Sequence, residues 1–182
     1  MPQIDSKEYS VVAIYAKHTD TENAINLLKK ENFDLNKLAI LGKAYHTEGD
    51  VVGYYSTGDR MKHWGKMGAF WGGLWGLLAG SAFFFIPGVG PVVVAGSAVA
   101  WIVTALEGAV VVGGLSALGA GLYSKGISKG NVLKYESSIK AGKYLLIAHG
   151  TPEEAEAARR ILSDTDADEI NVHQPDRSAA AA

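Results

Sequence analysis

Met67-Gly68-Ala69-Phe70-Trp71-Gly72-Gly73-Leu74-Trp75-Gly76-Leu77-Leu78-Ala79-Gly80 begins a stretch in which no side chain is charged before Glu107. Gly68, Gly72, Gly76 and Gly80 repeat at every fourth position and so fall on one stripe of a helix. After Ser81–Phe85 comes Ile86-Pro87-Gly88-Val89-Gly90-Pro91, a turn by composition. A second apolar run then extends from Val92 to Tyr123, broken only by Glu107. Met67–Phe85 approaches the roughly 20 apolar residues that cross a bilayer as a helix. The pattern predicts a transmembrane helical hairpin with its bend at the Pro-Gly turn.

The flanks give that hairpin a direction. The chain has 182 residues, 20% of them charged, and a formal net charge of −2, with a mean hydropathy of +0.07. These averages conceal segregation, because most of the charge precedes Met67 or follows Ser124. Arg60-Met61-Lys62-His63-Trp64-Gly65-Lys66 sets three basic residues and a tryptophan against one end, and Lys125 and Lys129 restore positive charge at the other. By the positive-inside rule both flanks face the cytoplasm. Trp64, Phe70, Trp71, Trp75, Phe83, Phe84, Phe85 and Trp101 then serve as interfacial anchors or lipid-facing residues. Met1-Pro2-Gln3-Ile4-Asp5-Ser6-Lys7-Glu8 lacks the basic-then-apolar form of a signal peptide. The near-neutral balance argues against a nucleic-acid partner. The absence of cysteine excludes disulfides and thiolate chemistry.

Outside the apolar stretch the pattern is that of a globular domain. Ser10–Ala16 and Lys143–Ala148 read as strands apolar on both faces, and Lys37–Gly42 as a further strand. Thr19 with Glu22 matches a capping box ahead of a helix carrying Ala24, Leu27 and Leu28. Val51–Tyr55 is a weaker strand candidate. Asn131–Lys140 reads as a helix. Thr151-Pro152-Glu153-Glu154 starts another, with Ala155, Ala158, Ile161 and Leu162 on its buried side. Glu169–His173 alternates as a strand with one wet face. Removing the middle leaves β-α-β … β-α-β, so the expected fold class is α+β, a ferredoxin-like domain interrupted by the transmembrane glycine-rich helical hairpin. The expected divisions are 1–60, the hairpin 61–124, 125–175, and a disordered tail 176–182. Both halves must reach one sheet, which requires an even number of crossings, and two is the economical number. The face of the sheet without helices needs cover, from Ala44–Tyr55, from the Asn131–Lys140 helix, or from a second subunit.

Three groups of residues are candidates for function. Gly68, Gly72, Gly76 and Gly80, with Gly96, Ala100, Thr104 and Gly108 on the second helix, form small-residue stripes that let helices approach closely in lipid. They suit either packing within the hairpin or a homo-oligomer. Glu107 is a candidate for an ion path, or lies at the membrane edge, sixteen residues or roughly 24 Å of helix after Pro91. His149, Gly150 and Thr151 precede a helix N-terminus where an anion would bind. The remaining histidines, His18, His46, His63 and His173, show no metal-ligand spacing, and no cofactor or metal is expected.

Trp64 through Gly80, Ile86–Pro91 and Tyr135 through Lys143 together resemble bacterial general-stress-protein-like (17M-type) proteins, in which a split α/β domain is interrupted by a glycine-rich apolar hairpin. The resemblance covers Tyr9 to about His173 and implies fold and location, with no catalytic residue. The expectation is a non-enzymatic protein of the bacterial inner (cytoplasmic) membrane, with both termini cytoplasmic. It would contact the lipid bilayer, self-associate through its glycine-lined helices and serve a structural or stress-related role. The alternatives are an oligomeric channel or transporter-like pore, a ligand-sensing regulatory module, and a hairpin buried within an assembly.

Overall fold

The computed structural model describes residues 8–43, 81–86, 89–107 and 116–175. Six strands, β1 Tyr9–Tyr15, β2 Leu38–Lys43, β3 Ser81–Ile86, β4 Gly90–Gly96, β5 Tyr144–Gly150 and β6 Glu169–His173, form one antiparallel sheet in the order β3-β4-β2-β5-β1-β6. The described helices are α1 His18–Lys30, α2 Ala98–Glu107, α3 Ala117–Ser124, α4 Lys129–Lys140 and α5 Pro152–Ser163. A short 3-10 turn, Leu35–Lys37, leads into β2.

The transmembrane helical hairpin is corrected at its turn. Ser81–Ile86 and Gly90–Gly96 pair as a β-hairpin, with Ile86 opposite Gly90 and Ser81 opposite Ala95. The Val89 amide donates to the Ile86 carbonyl across the bend at 3.0 Å. Three consecutive phenylalanines and three consecutive valines are strand-forming residues. They look like a span because strands buried on both faces lose alternation. β4 then pairs with β2, from Ala39 opposite Gly96 to Lys43 opposite Val92. The ferredoxin-like class is overturned with it, since β2 is interior and two strands lie beyond it. The fold is α+β around a six-stranded antiparallel sheet.

The other membrane expectations fall with the hairpin. Among the described residues no helix is long and apolar enough to cross a membrane. The inner-membrane location with both termini cytoplasmic therefore loses its support. So does the glycine zipper as a membrane motif. Gly96 ends β4 in the left-handed region at φ +77, and Ala100 and Thr104 lie on the exposed side of the ten-residue α2. Glu107 is the last residue of α2. Gly68, Gly72, Gly76, Gly80, Gly108, the Val51–Tyr55 strand and the Arg60–Lys66 flank lie outside the described residues.

Helices cover both faces of the sheet. On one face Ala24, Ile25 and Leu28 of α1 and Ala155, Ala158 and Leu162 of α5 pack on Val11, Ala13, Tyr15, Leu38, Ile40, Leu146 and Ala148. On the other, α2, α3 and α4 bring Trp101, Ile102, Leu118, Leu122, Val132, Tyr135 and Ile139 onto Val12, Ile14, Leu41, Val94, Leu145 and Ile147. The Asn131–Lys140 helix is thus part of the second cover, and that face is closed within the chain. Each fully buried Val, Leu or Ile contributes roughly 1.5–3 kcal/mol, so an open second face would forgo a large share of the core. β4 and β5 both run antiparallel to β2, so α2–α4 join parallel strands over the face opposite α1 and α5. Their crossover therefore has the opposite hand to those two, whereas such connections are overwhelmingly of one hand.

Local signals act where they are strongest. α5 carries a full capping box: the Glu154 amide donates to Thr151 Oγ1, and the Thr151 amide donates to Glu154 Oε2. The box expected at Thr19 does not form, and α1 begins two residues earlier, at His18, with Lys17 at the N-cap position and no side-chain cap.

Gly96 and Gly90 separate strain from space. Both have positive φ, but a Cβ on Gly96 would overlap the Leu38 carbonyl, while one on Gly90 meets nothing within 4 Å. Gly96→Ala should cost about 3 kcal/mol or more in urea unfolding, and Gly90→Ala about 1 kcal/mol. Equal losses would contradict the β2–β4 packing.

Candidate functional site

At one end of the sheet, three polar residues interrupt an apolar face. β1 lies between β5 and β6, and Ser10 is directly opposite both His149 and His173. All three side chains share the α2–α4 face with Val12, Leu145 and Ile147. Ser10 is 1% exposed, His149 6% and His173 7%.

The row is tied to its cover by hydrogen bonds. Ser10 Oγ and His149 Nδ1 are 3.0 Å apart, and the serine hydroxyl also donates weakly to the Lys125 carbonyl at 3.5 Å, just past the end of α3. Tyr135 of α4 meets His173 Nε2 through its hydroxyl at 2.6 Å, with the two rings edge-on. Gly126, in the turn between α3 and α4, has φ +82, and a Cβ there would press on the Pro175 backbone. The turn thus seats directly on the chain leaving β6. On α4, Glu136 is buried and accepts a hydrogen bond from Ser116, which also caps α3 through the Gly119 amide.

One atom of the row is unsatisfied. Among the described residues, His149 Nε2 is buried without a hydrogen-bond partner, as is Trp101 Nε1 on α2. A neutral imidazole has one donor and one acceptor nitrogen, so either tautomer leaves one of them to Ser10 and the other orphaned. Such an orphan costs roughly 1–3 kcal/mol. Burial, aided by the nearby Lys125 charge, pushes the His149 pKa down to about 4. Burial also lowers the His173 pKa. Tyr135 is pushed up to about 12, chiefly by burial. The row is therefore neutral near pH 7. It is a hydrogen-bonding constellation without a fixed charge.

The residues expected from the sequence are only partly brought together. His149 faces α2–α4, while Gly150 faces α5, where a Cβ would collide with Glu154. The start of α5 is occupied by the chain itself. Thr151 and Glu154 satisfy each other, and Lys37 holds Glu154 at 2.6 Å. His149 thus works with Ser10, and Gly150–Thr151 belong to the cap. Ser10, Tyr135 and His173 were not singled out by sequence. Their usable signal was polarity at the ends of otherwise apolar strands, which becomes a cluster only once the register is known. No group of three or more His, Asp or Glu among the described residues could hold a metal ion.

Comparison with family models, with curated proteins and with solved structures returns no match. Nothing in those comparisons identifies a stress-protein or membrane family.

The depressed His149 pKa makes stability depend on pH. The unfolded chain binds a proton below its ordinary value of 6.5, while the folded chain resists until about pH 4. Stability is therefore full above pH 6.5 and falls as pH drops toward 4, by roughly 3 kcal/mol for this residue. His173 acts in the same direction. Chemical denaturation at a series of pH values should show this slope, and His149→Leu or His149→Gln should flatten it. An unchanged slope in both variants would remove His149 as its source.

Proposed function

We propose that the protein is a non-catalytic regulatory module, in which the α2–α4 layer is the responsive part and the His149–Ser10–His173–Tyr135 row is its latch. The observation that carries this reading is His149 Nε2, buried and without a partner among the described residues. A polar atom kept dry at such a cost stores a free-energy gap that a proton or a hydrogen-bonding ligand can close.

The position of the row supports a coupling to the helical cover. The Tyr135–His173 bond joins α4 to β6, and Ser10 joins β1 to the end of α3. A proton on His173 makes both ring nitrogens donors, so Nε2 must then donate to the Tyr135 hydroxyl. A partner for His149 Nε2 must approach from the side covered by α3 and α4. On the opposite face α1 and α5 pack on the sheet without touching the row, and they supply the rigid half against which the cover moves. A catalytic reading is less well supported: Glu136, the buried carboxylate on α4, is engaged by Ser116, and Ser10 meets Nδ1 in a fully buried setting.

The proton is the simplest probe of the latch. Native-state hydrogen exchange should show Ala117–Lys140 opening at a lower free energy than α1 and α5 at pH 7, and that sub-global opening becoming easier toward pH 4. His149→Leu should remove most of this pH dependence. A cover that opens only together with α1 and α5, or whose opening does not respond to pH, would contradict the proposal.

A further inference from the structure

We infer that Glu169, Asn171 and His173 of β6, with Tyr135 of α4, form a hydrogen-bond relay that carries the protonation state of the buried His173 to the Lys134–Glu169 ion pair at the surface. As a means of regulation the relay rests on the reading of the row as a latch, and it gives that latch an output.

The sequence of β6 sets the spacing. In Glu169-Ile170-Asn171-Val172-His173 every second residue points to the same side. Pairing with β1 sets Glu169, Asn171 and His173 opposite Ile14, Val12 and Ser10, on the α2–α4 face. α4 lies over this line. Lys134 ion-pairs with Glu169, whose side chain is 34% exposed, and Tyr135 meets the buried His173 Nε2 at 2.6 Å. Asn171 joins the two ends. Its Nδ2 donates to Glu169 Oε1 at 2.8 Å, and its side chain also bonds the Tyr135 hydroxyl.

Donor chemistry gives the line a direction. A carboxylate only accepts, so the Asn171 nitrogen faces Glu169. Burial raises the Tyr135 pKa and the Asn171 bond lowers it in part, as a donor to the phenol oxygen does. Tyr135 then gives its own hydrogen to His173 Nε2. A protonated His173 reverses that last bond. The Tyr135 oxygen receives hydrogens from both His173 and Asn171, and its own hydrogen needs a new acceptor. Turning over the Asn171 amide supplies one, its oxygen, and withdraws the nitrogen from Glu169. Bonds from Lys134 and then Asn171 hold the Glu169 carboxyl below the usual carboxylate range, so loss of the second moves it back up. The other titratable and charged groups on the described elements around His173 are Glu136 on α4, bonded by Ser116, Lys125 in the turn before α4, and His149 across β1. Lys129 and Lys140 of α4 are exposed.

Carbon-detected NMR of the full chain tests the relay, following the His173 ring and the Glu169 carboxyl in one titration from neutral pH to acid unfolding. The Glu169 carbon should shift in step with the His173 ring. Asn171→Leu, at a half-buried position, and Tyr135→Phe, which keeps the ring, should each remove most of that shift while His173 still titrates. A direct field from the His173 charge would survive both changes. A Glu169 carbon that does not follow His173, a shift that persists in either variant, or a His173 that stays neutral until the chain unfolds would overturn the relay. The latch is read separately, at the Ala117–Lys140 amides, so either proposal can fail alone.

Discussion

The pairing of β2 with β4 is the constraint on which the rest of the structure depends. It joins residues far apart in sequence along Ala39–Lys43 and Val92–Gly96, and it places the start of α2 where Ser97 can donate to the Leu38 carbonyl. From that point α2 can only run back over the sheet, carrying Trp101 and Ile102 onto Val94 and Leu41. α3 then packs on α2, with Gly121 against the Trp101 ring, and α4 follows. Without this ladder the second face of β1, β2 and β5 would be open. With it, the interior strands have apolar partners on both sides.

The two layers are not attached in the same way. α5 is fixed by its capping box and by the Lys37–Glu154 ion pair, which ties it to the turn before β2. That pair is partly exposed, so its own contribution is small, but it fixes a geometry. The α2–α4 layer relies on apolar packing, on the partly exposed Lys134–Glu169 ion pair from α4 to β6, and on the polar row at the far end of β1. Among the described residues, two buried polar atoms at its inner surface lack a partner, Trp101 Nε1 on α2 and His149 Nε2 on β5. The layer that covers these unsatisfied atoms is the part expected to open first.

Much of the local structure was legible in the sequence, and the fold class was not. The apolar runs at Ser10–Ala16 and Lys143–Ala148 and the cap at Thr151–Glu154 act through neighbours in sequence and read correctly as two strands and a helix start. Ser81–Ile86 and Gly90–Gly96 were misread because hydropathy summed over a window does not separate a strand buried on both faces from a membrane helix. The distinguishing marks were present in Phe83-Phe84-Phe85, Val92-Val93-Val94 and the Pro-Gly turn between them, which suit a β-hairpin. They were outweighed by the glycine repeat upstream. The histidine row was illegible for a different reason. Adjacent residues on a strand face opposite ways, so His149 and Gly150 could not share a site, whereas Ser10, His149 and His173 share one only through the register of β5, β1 and β6. That register is a long-range property that no local pattern encodes.

The central claim is that Ser81–Gly96 forms strands of the sheet and not part of a membrane helix. Backbone NMR of the labelled chain in detergent-free buffer tests this most directly. The structure predicts cross-strand proton contacts between Leu41 and Val94 and between Ala82 and Val94, with strand-type carbon shifts throughout both segments. Helical shifts across Ser81–Phe85, or the absence of any contact between Ala39–Lys43 and Val92–Gly96, would contradict it.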